Sequence, residues 1–164
     1  MILLALGANL AHPRYGPPEN TLEAALEALR EGGVGVPARS RWYRSAPVPA
    51  SDQPWFVNGV AALETRLAPA DLLARLHAVE AAFGRTRGRR NEARVLDLDL
   101  LAYHDRVSGP GESPVLPHPR LAERAFVVLP LAELAADWRH PVSGLSATEL
   151  AARLDPAETA VPLE

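Results

Sequence analysis

From residue 96 to residue 100 the chain reads Leu-Asp-Leu-Asp-Leu. Successive side chains of a strand point to opposite faces, so Leu96, Leu98 and Leu100 turn toward a core while Asp97 and Asp99 share the other face. A strand with one apolar and one acidic face requires neighbouring strands and a covering layer. The rest of the chain supplies both.

Met1 to Leu6 is a continuous apolar run that reads as a buried strand ending at Gly7. Asn20 and Glu23 are spaced as an N-cap and capping box. Leu22, Ala25, Leu26 and Leu29 then follow at helical spacing up to Gly32-Gly33. Val36 to Arg44 reads as a second strand, and Pro47, Pro49, Asp52 and Pro54 mark the loop after it. Phe56 to Thr65 reads as a third strand. Pro69 opens a second helix whose apolar face is Leu72, Leu73, Leu76, Val79 and Phe83, closing at Gly84. A polar loop from Arg85 to about Ala93 leads into a fourth strand, Arg94 to about Tyr103, and the tail after Pro117 reads as mostly helical. The order β-α-β-β-α-β predicts an α/β (α+β) fold of the ferredoxin-like kind. Its antiparallel sheet would carry helices on one face and leave the other open for a site, helped by the C-terminal segment. With 164 residues, no repeat and no linker, residues 1–164 are read as one domain.

The absence of cysteine excludes a disulfide framework and a thiolate metal site. The first six residues lack a basic flank and are too short for a signal-peptide core or a membrane span, which points to the cytoplasm and away from a membrane. A net charge of -3 argues against nucleic acid as the main partner. All 17 basic residues are Arg, and five of them fall between Arg85 and Arg94.

That cluster bears directly on the acidic pair. An isolated Asp-x-Asp reads most simply as charges that keep an edge strand soluble. Here the carboxylates stand about 7 Å apart along a strand, repelling one another unless a cation lies between them. Mg²⁺ takes one or two carboxylates plus substrate phosphates, and paired ions sit about 3.5–4 Å apart. Guanidinium forks bind phosphate oxygens and stabilise charge on a transferring group. The glycines Gly84 and Gly88 let the loop close as a lid. Carboxylates and arginines opposed at one site favour a nucleoside triphosphate with magnesium over a solvated basic loop or an RNA patch. His118, between Pro117 and Pro119, alone suggests a loop hydrogen-bonder, and Arg124 and Phe126 follow closely enough to reach the same cleft. Phe56 and Asn58 share a strand face, an aromatic beside an amide that suits a flat heterocycle, although Phe56 alone reads as core and Asn58 as a buried amide.

Several landmarks occur in family-like order: Leu4-Ala5-Leu6-Gly7-Ala8-Asn9-Leu10, Trp42-Tyr43-Arg44-Ser45-Ala46-Pro47, Asp52-Gln53-Pro54-Trp55-Phe56-Val57-Asn58-Gly59, Leu96-Asp97-Leu98-Asp99 and Pro117-His118. Over nearly its whole length the chain resembles the 6-hydroxymethyl-7,8-dihydropterin pyrophosphokinases, which move a diphosphate from ATP to a pterin alcohol in folate biosynthesis. The resemblance implies two Mg²⁺ ions held by Asp97 and Asp99, and lid arginines Arg85 and Arg94 that assist transfer. It implies an ATP site containing Glu80, Arg87, Arg90, Leu100, His118 and Arg124. It further implies a pterin ring stacked between Phe56 and Phe126, its edge bonded by Asn58 and by backbone around Ser45, Ala46 and Val48. ATP and the pterin are then the partners, with no nucleic acid and no membrane, and the chain is expected to be a monomer. The family commonly has Arg-Trp-x-Pro-Arg where this chain has Arg90-Asn91-Glu92-Ala93-Arg94, and Ser where Ala8 stands. Two other readings keep the same scaffold: a nucleotidyl transferase, which would release pyrophosphate, and an RNA-recognition module. Against the second, Met1 to Leu6 carries no aromatic residue on which a base could stack.

Overall fold

The computed structural model describes residues 1–47, 50–84 and 95–163. β1 (Ile2–Ala8) is apolar on both faces and takes the interior of the sheet, paired antiparallel with β4 (Phe56–Glu64) on one side and with β5 (Asp97–Tyr103) on the other. Beyond β4 lie β3 (Tyr43–Ser45) and then the two-residue β6 (Val161–Pro162), while β2 (Gly35–Arg39) pairs with the far end of β4. The order β5-β1-β4-β3-β6, with β2 on β4 as the sixth strand, brings the first strand of the chain between the two that flank the second helix, which is the split pattern predicted for a ferredoxin-like sheet.

The alternation within β1 divides the core into two layers. Leu4 and Leu6 join Leu98 and Leu100 beneath α1 (Pro18–Glu31) and α2 (Pro69–Ala82), where Leu22, Leu26, Leu72 and Leu76 are fully buried. Leu3 and Val60 face the opposite way, onto α3 (Ala125–Leu134) and α4 (Ala147–Ala152), against Val128, Leu131 and Leu150. Each leucine removed from water contributes roughly 1.5–3 kcal/mol. The second face of the sheet is therefore not open along its length. α3 and α4 cover the Leu3–Val60 end, leaving the Gly7–Asn58–Asp97 end for chemistry. A bulge in β5 fits this division. Leu3 faces Ala102 and Leu4 faces Leu100, so Leu101 is the extra residue and turns into the α3/α4 layer.

Several local expectations change. β1 does not end at Gly7 but runs through it to Ala8. α1 begins at Pro18 rather than at an Asn20 cap, since proline at the first helical position has the required φ and no N–H to leave unbonded. Asn20 lies inside the first turn and donates to the Tyr15 carbonyl at 3.1 Å, and Glu23 accepts from the Trp42 indole at 3.1 Å. The expected second strand is two strands. Between them Ser40 binds β4 at both ends: its N–H donates to the Val60 carbonyl and its hydroxyl accepts from the Val60 N–H. The start expected at Arg94 for the last strand lies outside the described residues, and Val95 and Leu96 precede β5. The tail carries two helices, Ala125–Leu134 and Ala147–Ala152, with a 3₁₀ turn at Leu121–Glu123 and β6. Turns and loops join them, and helix does not make up most of the tail as expected.

Candidate active site

One row of residues crosses the uncovered end of the sheet. Asp97 pairs with Gly7, Gly7 with Asn58, and Asn58 with Tyr43, so all four stand on one face. Asp99 lies two residues further along the same face, opposite Ala5. Neither Gly7 nor Ala5 carries bulk, so the space over β1 stays low. At Gly7 this is a requirement, because a Cβ there would stand 2.8 Å from the Asn58 side-chain nitrogen. Strands are spaced at about 4.8 Å, which puts Asp97 and Asn58 on the order of 10 Å apart across β1.

The acidic end of the row is held from behind and faced by Arg124 and His118. Asp97 and Asp99 are half-buried. Glu80, on α2 and 2% exposed, accepts the Leu98 N–H at 2.8 Å, fixing the backbone between the two aspartates at the sheet edge. The His118 N–H donates to the Leu101 carbonyl at 2.8 Å, and the ring Nδ1 accepts from the Arg120 N–H at 3.1 Å, which leaves the proton on Nε2. Burial pushes the His118 imidazole below its ordinary value, helped by the Arg124 charge, while Asp97 acts in the opposite direction. Burial and Arg120 likewise lower the Arg124 guanidinium, and Asp99 and Asp97 oppose the shift. His118, Arg124, Asp97 and Asp99 therefore lie within one electrostatic neighbourhood.

At the other end the Ser45 hydroxyl, in register with Phe56, donates to Asn58 Oδ1 at 2.9 Å inside the protein. This bond sets the orientation of the amide and presents its Nδ2 over Gly7. Phe56 and Phe126 are both half-buried, and the Arg124 guanidinium stands 5.5 Å from the Phe126 ring centroid. One flanking segment is tied to the end of β1. Asn9 donates to the Gln53 side chain at 2.9 Å and to the Pro54 carbonyl at 3.1 Å, just ahead of β4.

The structure thus gathers Asp97, Asp99, His118, Arg124, Ser45, Phe56, Asn58 and Phe126 around one end of the sheet. Glu80 serves that end through the strand backbone. Leu100 is not brought to the site face, because the alternation that turns Asp99 outward buries its side chain with Leu4 under the helices. Ala46 is exposed beside Ser45. Val48, Arg85, Arg87, Arg90 and Arg94 lie outside the described residues. Among the described residues no three His, Asp or Glu side chains form a metal cage, and Asp97 and Asp99 are two carboxylates on one face of β5. That set fits Mg²⁺, which prefers one or two carboxylates completed by substrate phosphates. Sequence reasoning assigned no role to Gly7, Tyr43 or Asn9. Gly7 was read only as the end of the first strand and as part of a family-like run, and its partner is brought to it by long-range pairing.

Comparisons with known proteins show what the whole chain is similar to. The family model for 7,8-dihydro-6-hydroxymethylpterin-pyrophosphokinase (HPPK) matches residues 3–136. The chain is 43% identical over 156 residues to a 2-amino-4-hydroxy-6-hydroxymethyldihydropteridine pyrophosphokinase of Methylorubrum extorquens, covering 94% of this chain and 93% of that one. It is 45% identical over 141 residues to a protein of the same name from Pseudomonas aeruginosa, covering 85% and 83%. Among solved structures, the Plasmodium falciparum HPPK-DHPS with pteroate superimposes with a TM-score of 0.70 at 12% identity. That match covers 93% of this chain and 44% of the longer one, and the likeness is one of fold.

Proposed function

The chain belongs to the 7,8-dihydro-6-hydroxymethylpterin-pyrophosphokinase family, and from that premise we propose that it joins ATP and the pterin across the Asp97–Gly7–Asn58 row. It is an ATP-dependent pyrophosphokinase of folate biosynthesis, transferring diphosphate to the hydroxymethyl group of 6-hydroxymethyl-7,8-dihydropterin. The observation that carries the proposal is the division of the row into an acidic, cation-flanked end and an amide-and-aromatic end, with only Gly7 between them.

In the reaction the hydroxymethyl oxygen attacks the β-phosphorus in line. The bond from that phosphorus to the α,β-bridging oxygen breaks, AMP leaves, and the hydroxyl proton is lost. Asp97 and Asp99 would hold a pair of Mg²⁺ ions, which neutralise the phosphates and lower the pKa of the attacking hydroxyl. His118 offers its Nε2 proton, and Arg124 its fork, to phosphate oxygens. Glu80 keeps the two carboxylates in register by fixing Leu98 between them. Asn58, oriented by Ser45, binds the polar edge of the ring, while Phe56 and Phe126 cover its faces. Arg85, Arg87, Arg90 and Arg94 enter from the sequence alone, as groups that stabilise charge passing between donor and acceptor. No side chain need act as a strong base, since positioning and electrostatics supply most of the rate in phosphoryl-type transfer.

Incubation with ATP, Mg²⁺ and the reduced pterin alcohol should yield AMP and the pterin diphosphate. Release of pyrophosphate instead, or no turnover by the folded protein, would overturn the proposal. It also has residues 1–164 acting as one monomeric unit in the cytoplasm. No helix among the described residues is long and apolar enough to cross a membrane, and light scattering of the active species at the monomer mass checks the oligomeric state.

A further inference from the structure

Resting on the pterin side of that reading, we infer that Glu133 is a positioning residue for the pterin pocket, setting Phe126 relative to Ser45 and Asn58 by gripping Tyr43. Phe126 and Glu133 are seven residues apart on α3, so they lie on one stripe of the helix, about 10 Å apart along its axis. Tyr43 links the two: it is 6% exposed and clusters with Ala125 in the apolar group against which Phe126 packs, and its hydroxyl donates to Glu133 Oε1 at 2.7 Å. The same carboxylate accepts the Arg41 N–H at 2.5 Å and the Arg41 Nε–H at 2.8 Å. Three donors from the segment that becomes β3 thus converge on one α3 side chain.

The consequence for the pocket follows from register. Tyr43 pairs with Asn58, and two residues later Ser45 pairs with Phe56 and bonds Asn58. A shift of Tyr43 against α3 therefore moves the ring wall, Phe126, relative to the amide and the other ring wall. Burial alone would push the Glu133 carboxyl up, yet the Arg41 and Tyr43 hydrogen bonds hold it below its ordinary value, as a charge-assisted cluster should. A simpler role, fastening α3 to the sheet, is already filled by Val127, Val128 and Leu131, which are buried against Leu3 and Val60. The Glu133 side chain is 26% exposed, so it adds little apolar docking and its contribution is directional.

Steady-state kinetics on the full chain separate these roles. Glu133→Gln keeps the volume but presents an amide to donors, and Tyr43→Phe removes only the hydroxyl. Each should raise the pterin KM on the order of tenfold, as expected when charged hydrogen bonds are lost, with the ATP KM within about twofold of wild type. The double variant should be no worse than the poorer single one, because both remove the same tie. Unchanged pterin KM values, or equal rises for both substrates, would overturn the inference. If Glu133→Gln does not fold, Tyr43→Phe alone carries the same test. Phe126→Ala distinguishes the two levels of failure. If it raises the pterin KM while the Glu133 and Tyr43 variants do not, Glu133 positioning is wrong and the pocket stands. If Phe126→Ala is also without effect, the pterin pocket itself has been misassigned.

Discussion

Two carboxylates on one strand face are ambiguous until their surroundings are known, and here those surroundings support the cation-holding role proposed above. Gly7 and Ala5 leave room over the neighbouring strand, Glu80 holds the intervening backbone, and His118 and Arg124 lie within electrostatic reach. A pair that merely kept an edge strand soluble would need none of these. Asp97→Asn and Asp99→Asn should each lower kcat on the order of a hundred- to thousandfold, the usual effect of removing one preorganised electrostatic group. Calorimetry should find both folded, and near-wild-type rates would withdraw the metal assignment. His118 gives a second measurement at this scale. Its depressed value means the native state favours the neutral ring. That stabilising contribution is fully present above the ordinary value near 6.5 and is lost as pH falls through the lower folded one. NMR titration should therefore show a midpoint below 6.5. Because Asp97 raises the ring and Arg124 lowers it, Asp97→Asn should move the midpoint further down and Arg124→Gln should move it up. Opposite signs would show that His118 does not face that pair. The aspartates themselves were readable from a two-residue repeat. Gly7 was not, since the Asn58 side chain that forbids a Cβ there comes from a strand some fifty residues away.

The elements read best from sequence are those that a local rule determines. Pro69 opens α2 as proline at a first helical position should, and the alternation around Asp97 gave the correct inward and outward faces of β5. The misread starts and stops are places where two local rules compete or a tertiary partner intervenes. At α1 the Asn20–Glu23 spacing competed with Pro18, and proline began the helix three residues sooner. At Ser40 the strand breaks because its hydroxyl and N–H are both committed to β4, a partner that no local window contains. A complete capping box does occur at α4, where the Ser146 hydroxyl accepts from the Glu149 N–H at 3.1 Å and the Glu149 carboxylate accepts from the Ser146 N–H at 3.2 Å. The two sites make a paired test. Ser146→Ala should cost about 1 kcal/mol in chemical denaturation, and Asn20→Ala, which loses an exposed bond to a loop carbonyl, less than about 0.5 kcal/mol. Equal losses would mean that Asn20 caps α1 after all.

At the scale of the whole molecule, one sheet is covered by two helical layers that do not touch the same side chains. The order of elements was visible because it is written in successive local periodicities. That the C-terminal segment would serve the second face was also expected. That its helices would cover the Leu3–Val60 end was not, because nothing within 125–134 or 147–152 says which strands they will pack on. That allocation has a thermodynamic consequence. Leu3 and Leu4 are consecutive and fully buried, yet Leu3 belongs to the α3/α4 layer and Leu4 to the α1/α2 layer. If both layers unfold with their common strand, the chain has a single cooperative unit. Leu3→Ala and Leu4→Ala should then each cost about 2–5 kcal/mol and move one calorimetric transition down by roughly 5–15 °C. The double variant should show the two losses nearly summed, since the cavities open on opposite sides of the sheet. If instead the α3/α4 layer melts by itself, Leu3→Ala will split the trace, leaving a second transition at the wild-type temperature that only Leu4→Ala moves. A single transition is also what the site demands. Its aspartates and amide stand on strands held by the first layer, and Phe126 and Arg124 stand at the start of a helix in the second, so independent melting would dismantle the pocket before the protein had unfolded.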